Sequence, residues 1–111
     1  MLTDGVAWHV PGRSAIAGDY RGRDEVLRYF TTRRELASAT IRIEVHGVLA
    51  DDQRAVILAE GHMGPGGETS SWKTVAVFRM VEGRIAECLV LPYDQRAYEE
   101  IWLKADRLQN R

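Results

Sequence analysis

Cysteine is almost missing from this chain. Cys88 stands alone, which excludes an internal disulfide framework and any zinc site built on a cysteine cluster. An excess of charge of either sign is missing too. With 15 Lys and Arg against 16 Asp and Glu, the formal net charge is −1, so no strong field draws the chain to nucleic acid or to an anionic membrane surface. No apolar run approaches the roughly 18 to 20 residues that span a bilayer. The opening Met1-Leu2-Thr3-Asp4-Gly5 has neither the basic segment nor the apolar stretch of a signal peptide, and the protein is expected to be cytoplasmic. Internal repeats and low-complexity stretches are also absent. His9, His46 and His62 lie on separate elements without a His-x-His or His-Glu-x-x-His spacing. Neither a metal nor a cofactor is therefore expected.

What is present is enough apolar sequence for one core: 111 residues, 45% of them hydrophobic, read as a single domain over 1–111. Periodicity divides it. Val6 to Val10 reads as a short strand stopped by Pro11-Gly12, and Arg13 to Gly22 as an ordered loop. Asp24 to Leu36 reads as a helix, with Val26, Leu27, Phe30 and Arg34 on or beside one stripe. Its charge order, Asp24 and Glu25 first and Arg33 and Arg34 last, complements the helix dipole.

From Thr40 the period becomes two, with Ile41, Ile43 and Val45 alternating with Arg42, Glu44 and His46. Asp51-Asp52-Gln53 turns the chain into a strand from Ala55 to Met63. After a loop at Gly64-Pro65-Gly66-Gly67 comes a strand from Trp72 to Val81. Glu82-Gly83 makes a tight hairpin into Arg84 to Leu91. Asp94 is placed to cap a last helix with Tyr98, Ile101, Trp102, Ala105 and Leu108 on its apolar face.

The order strand, helix, four-strand meander, helix predicts an α+β domain with helices on one face of a curved antiparallel sheet. The stretches 74–78 and 88–91 are apolar on both faces. Two helices cover only one side, so the outer face is expected to be covered by a second copy in a homodimer.

The residues Trp8-His9-Val10-Pro11-Gly12, the run from Ala17 through Asp19-Tyr20-Arg21-Gly22 to Phe30, Val77-Phe78-Arg79-Met80, Gly83-Arg84-Ile85-Ala86-Glu87 and Pro92-Tyr93-Asp94-Gln95 together resemble the SnoaL-like branch of the NTF2-like superfamily. That group includes ketosteroid isomerases, polyketide cyclases and limonene epoxide hydrolases. The resemblance spans residues 6–104 and implies an NTF2-like, cystatin-like cone around an apolar pocket for a small molecule. Members usually open with one or two helices that close the cone mouth, whereas here only five residues precede the first expected strand. This predicts either a more open pocket or a start that lies upstream.

By the same resemblance, His9 matches the place of the general base. A neutral imidazole is suited to taking a proton beside a carbonyl, although a strand histidine paired to a backbone carbonyl or facing solvent fits the pattern as well. Tyr20 or Tyr93 would donate a hydrogen bond to the developing enolate. Ala76 and Val90 stand where relatives carry acidic or histidine side chains, so those relatives' reactions are not implied. A ligand pocket is expected from Trp8, Phe30 and Ala59, with Trp72, Thr74, Ala76 and Phe78 on the next strand and Cys88 and Val90 on the last. In the competing arrangement Phe30, Met63 and Met80 fill that gap. The expected function is binding of a small hydrophobic metabolite, with cofactor-independent proton transfer of the isomerase or cyclase type by His9 or, in the rival reading, a non-catalytic module that binds a ligand or serves for dimerisation.

Overall fold

The computed structural model describes residues 1–64, 67 and 69–109. The expected loop at 64–67 lies in part outside them. Six strands and two helices follow one another as β1 (Leu2–Val10), β2 (Gly18–Arg21), α1 (Arg23–Leu36), β3 (Arg42–Ala50), β4 (Arg54–Met63), β5 (Ser70–Val81), β6 (Arg84–Pro92) and α2 (Gln95–Gln109). The strands form one sheet in the order β2-β1-β6-β5-β4-β3. Among the described residues no helix is long and apolar enough to cross a membrane.

The meander forms as its turns require. Asp51 Oδ1 accepts from the backbone N–H of Gln53 and of Arg54, both at 2.8 Å, and this local turn sends β3 into β4. Glu82 and Gly83 both take positive φ, 50° and 75°, as the two-residue turn between β5 and β6 demands. Asp94 Oδ1 accepts from Ala97 N–H at 3.0 Å, the side-chain cap expected for α2.

Three sequence expectations change in detail. The stretch expected as a loop over 13–22 contains a four-residue strand, β2, too short to show a period. It is held by pairing Trp8 with Tyr20 and His9 with Asp19. The first strand begins at Leu2 rather than Val6, because Leu2 pairs with Ile85 ahead of a register shift. The sheet is antiparallel except where β1 runs parallel to β6, with Trp8 beside Cys88. Hairpins fix the relative direction of β3 to β6 only. The direction of β1 is set by the path of the chain through α1.

Both helices pack on the inner face of the sheet, α1 against β1 and β2, and α2 against β5 and β6. Val6, Ile16, Val26, Cys88 and Trp102 are its most buried side chains. The buried stripe of α1 is Val26, Tyr29 and Leu36. Leu27, expected on that stripe, is exposed. The helix is rotated by about one residue from the expected register, and this rotation decides which polar side chain faces inward.

Candidate functional site

Alternation along the strands aims one set of side chains at the helices, and in the middle of the sheet that set is small. Ala59 pairs with Thr74, and Ala76 with both Ile57 and Val90. Large rings stand on either side. Trp8 meets Phe78 edge-on at 5.8 Å between ring centroids, and Trp72 packs on Trp102 at 5.5 Å. Small side chains between large ones leave a cavity of about 220 Å³. Its floor is Ala59, Thr74, Ala76, Phe78 and Val90, and its walls are Trp8 and Trp72 together with Tyr29 and Arg33 of α1 and Tyr98 of α2. Ile43, Val45 and Ile57 complete the lining. Ile43 and Val45, 45% and 58% exposed, mark its mouth at the β3 edge.

Of the expected pocket residues, Trp8, Ala59, Trp72, Thr74, Ala76, Phe78 and Val90 are brought together around this cavity. Two are not in the lining. Phe30 packs edge-on behind Trp8 at 5.1 Å. Cys88 is fully buried, and burial pushes its thiol up to about 12, the state of a packing residue rather than a nucleophile. Met63 is buried in the same core without filling the cavity.

The expected catalytic residues are not gathered there. Trp8 points inward, so the period of two sends His9 to the outer face. Its Nδ1 lies 2.7 Å from Asp19 Oδ1 and its Nε2 2.9 Å from Glu87 Oε2. These two hydrogen bonds, Asp19 first, hold the imidazole above its ordinary value. The His9 bond in turn holds Glu87 below the usual carboxylate range. Both ring nitrogens of His9 are thus engaged by carboxylates on the outer face, away from the cavity. The Tyr20 hydroxyl donates to Ile16 O at 2.6 Å, so it is occupied. Tyr93, 62% exposed, lies with Asp94 at a separate hollow beside the start of α2.

The other histidines also serve the outer face. His46 Nε2 is 3.1 Å from Glu60 Oε1. His62 pairs through Nδ1 with Ser71 Oγ at 2.8 Å and through Nε2 with Glu44 Oε1 at 3.2 Å. Glu44, His46 and Glu60 bring one ligand atom each within 4.8 Å of one another. They are already engaged as ion pairs.

Sequence reasoning missed Tyr29, Arg33, Ile43, Val45, Ile57 and Tyr98 as lining residues. Tyr29 and Tyr98 have the helical spacing of packing residues, and Arg33 reads as a charge at a helix end. The stripe Val26, Tyr29, Arg33, Leu36 carried the signal, hidden by the more apolar Leu27 and Phe30 beside it.

No functionally curated protein matches the chain. Among solved structures, Bal32a from a soil-derived mobile gene cassette is 29% identical, with a TM-score of 0.85 over 91% of this chain and 78% of that one. An NTF2-like protein of Burkholderia pseudomallei is 21% identical, with a TM-score of 0.76 over 91% of this chain and 79% of its own. TerC, co-crystallised with polyporic acid, is 16% identical, with a TM-score of 0.78 over 93% of this chain and 80% of its own. These structures share the NTF2-like fold with this chain, and the SnoaL-like domain, matched over residues 1–88, establishes that the chain belongs to the SnoaL-like family.

Proposed function

We propose that this protein binds a small, largely apolar molecule in the inner cavity and works as a pair of identical chains joined through the outer sheet face. The observation that carries the first part is the lining itself, with rings on two sides, alanines at the floor and an open mouth. A cavity of about 150 Å³ lined by apolar side chains holds benzene, so about 220 Å³ takes a frame of one to two rings. Among the described residues that line it there is no carboxylate and no imidazole. This favours binding over proton transfer by a side-chain base, and it leaves His9 a role on the other face.

The second part rests on exposed apolar side chains of the outer face, Leu49, Leu89 and Leu91, flanking the half-buried Val75 and Val77. A row this apolar across several strands fits an identical row on a second copy.

Titration with 2-acetylnaphthalene, followed by quenching of tryptophan fluorescence, tests the binding reading. Saturable quenching is expected in the wild type. It should be lost in Ala76→Phe, which fills the cavity, with the far-UV circular dichroism unchanged. Absence of saturable quenching in the wild type, or equal affinity in Ala76→Phe, would overturn it.

A further inference from the structure

Arg33 is the one charged side chain among the described residues that line the cavity. It sits one helical turn after Tyr29, and its guanidinium carbon lies 6.0 Å from the centre of the Tyr29 ring. That stacking holds the cation at the cavity wall. No ion pair to Arg33 is formed among the described residues, although Arg23, Arg42, Arg79 and Arg96 all have a carboxylate partner.

A second observation comes from Trp8. Its indole lines the same cavity, while its Nε1 is buried on the Tyr29 side rather than open to the cavity. Tyr29, beside both, feels Arg33 and Trp8 as influences that favour its charged form, against the stronger effect of burial. The polar side of the cavity therefore carries one cation, the Arg33 guanidinium, with the Tyr29 ring beside it. The lining holds no carboxylate to receive it.

We propose that Arg33 makes this cavity selective for an apolar one- or two-ring molecule carrying a single anionic oxygen group, with the charge held at Arg33. The inference rests on the binding function proposed above. An anionic oxygen group supplies the counter-charge this lining lacks, and a guanidinium fork matches a carboxylate with two parallel hydrogen bonds. A hydrogen bond to a charged group contributes about 1.5 to 3 kcal/mol, so the anion should bind roughly 10- to 100-fold tighter than a neutral molecule of the same shape.

The test compares three probes at pH 7.5 by tryptophan quenching and calorimetry: 2-naphthoate, its neutral methyl ester, and 1-nitroso-2-naphthol ionised at its ring oxygen. The wild type should prefer 2-naphthoate to the ester by at least about tenfold, and added salt should weaken the acid but not the ester. Arg33→Met should erase the preference, so that acid and ester bind alike within that variant. Arg33→Lys should retain part of it. A phenolate bound as tightly as the carboxylate would identify charge alone as the determinant, whereas carboxylate preference would identify the fork, and both support the anion site. Equal binding of acid and ester, or a preference that survives Arg33→Met, would overturn this inference while the binding function stands. Failure of all three probes to bind would overturn both.

Discussion

Gly61 and Trp72 are register partners across the β4–β5 ladder, and the indole of Trp72 lies over the glycine so closely that a Cβ at position 61 would fall inside its ring atoms. Gly61 is therefore a space-making residue: it lets the tryptophan lie flat at one end of the cavity. Gly61→Ala should force Trp72 off the strand and lower stability by about 1 to 3 kcal/mol, the cost of overpacking. Thermal denaturation and the tryptophan emission maximum report it. Trp72→Leu should recover most of the loss in the double variant, because the conflict lies in that one pair.

The outer face should make the protein a dimer. Light scattering at micromolar concentration is expected to give about twice the 12.5 kDa chain mass. Val77→Lys, which sets a charge among half-buried aliphatic groups beside Leu89, should shift the mass to that of one chain. A wild type that stays monomeric at high concentration would mean that no second copy covers this face.

The His9 cluster makes stability depend on pH with a defined sign. Its folded value lies above the ordinary 6.5. The stabilisation is thus complete below about pH 6.5 and is lost as pH rises through the folded value. Glu87, held below its ordinary 4.5, contributes above that pH and loses its contribution as pH falls through its own folded value. Denaturant melts of wild type and His9→Gln should therefore differ most between pH 4.5 and 6.5 and converge as pH rises through the folded value of His9. The difference should be at most about 1 kcal/mol, the size of solvent-accessible pairs. Ligand affinity should be unchanged in His9→Gln, because His9 lies outside the cavity lining.

Glu99 ties the segment after β1 to α2. Its Oε1 accepts from the backbone N–H of Arg13 and, at 3.3 Å, from that of Ser14. Gly12 in the same segment runs close to this carboxylate and has φ of 111°, a backbone conformation that other residues rarely adopt. Glu99→Ala should cost about 1 to 2 kcal/mol, the lower part of the range for hydrogen bonds to a charged acceptor, because Glu99 is only half-buried. Amide exchange at Arg13 and Ser14 should rise. Glu99→Gln, which keeps an acceptor oxygen, should lose less.

The readable part of this protein is local. The hairpin at Glu82-Gly83, the turn at Asp51, the cap at Asp94 and the period-two runs of β3 to β6 each depend on a few neighbouring residues, and each reads directly. The cavity floor was legible for the same reason: Thr74, Ala76 and Phe78 share a parity, and small residues among large ones leave space wherever the strand lies. The β2 strand was not legible, since four residues carry no period and its pairing partner is the distant Trp8 ladder. The turn of α1 about its axis was also out of reach. That helix is charged on several sides, so Leu27 and Tyr29 competed for the inner face until β1 and β2 took one side of it.

Alternation alone established that Trp8 and His9 point in opposite directions, but it contains nothing that says which direction is inward. That choice was made by the helices, which gain more by covering an indole than by covering an imidazole that already has two carboxylates in reach. With it went the chemistry of the cavity: His9 was left outside, and Arg33, an unremarkable charge in the sequence, was brought to the wall. Local composition determined the elements, their caps and the small floor, because those depend on neighbours along the chain. Which polar groups meet inside was decided only by tertiary packing, because it depends on faces of elements that the sequence holds far apart.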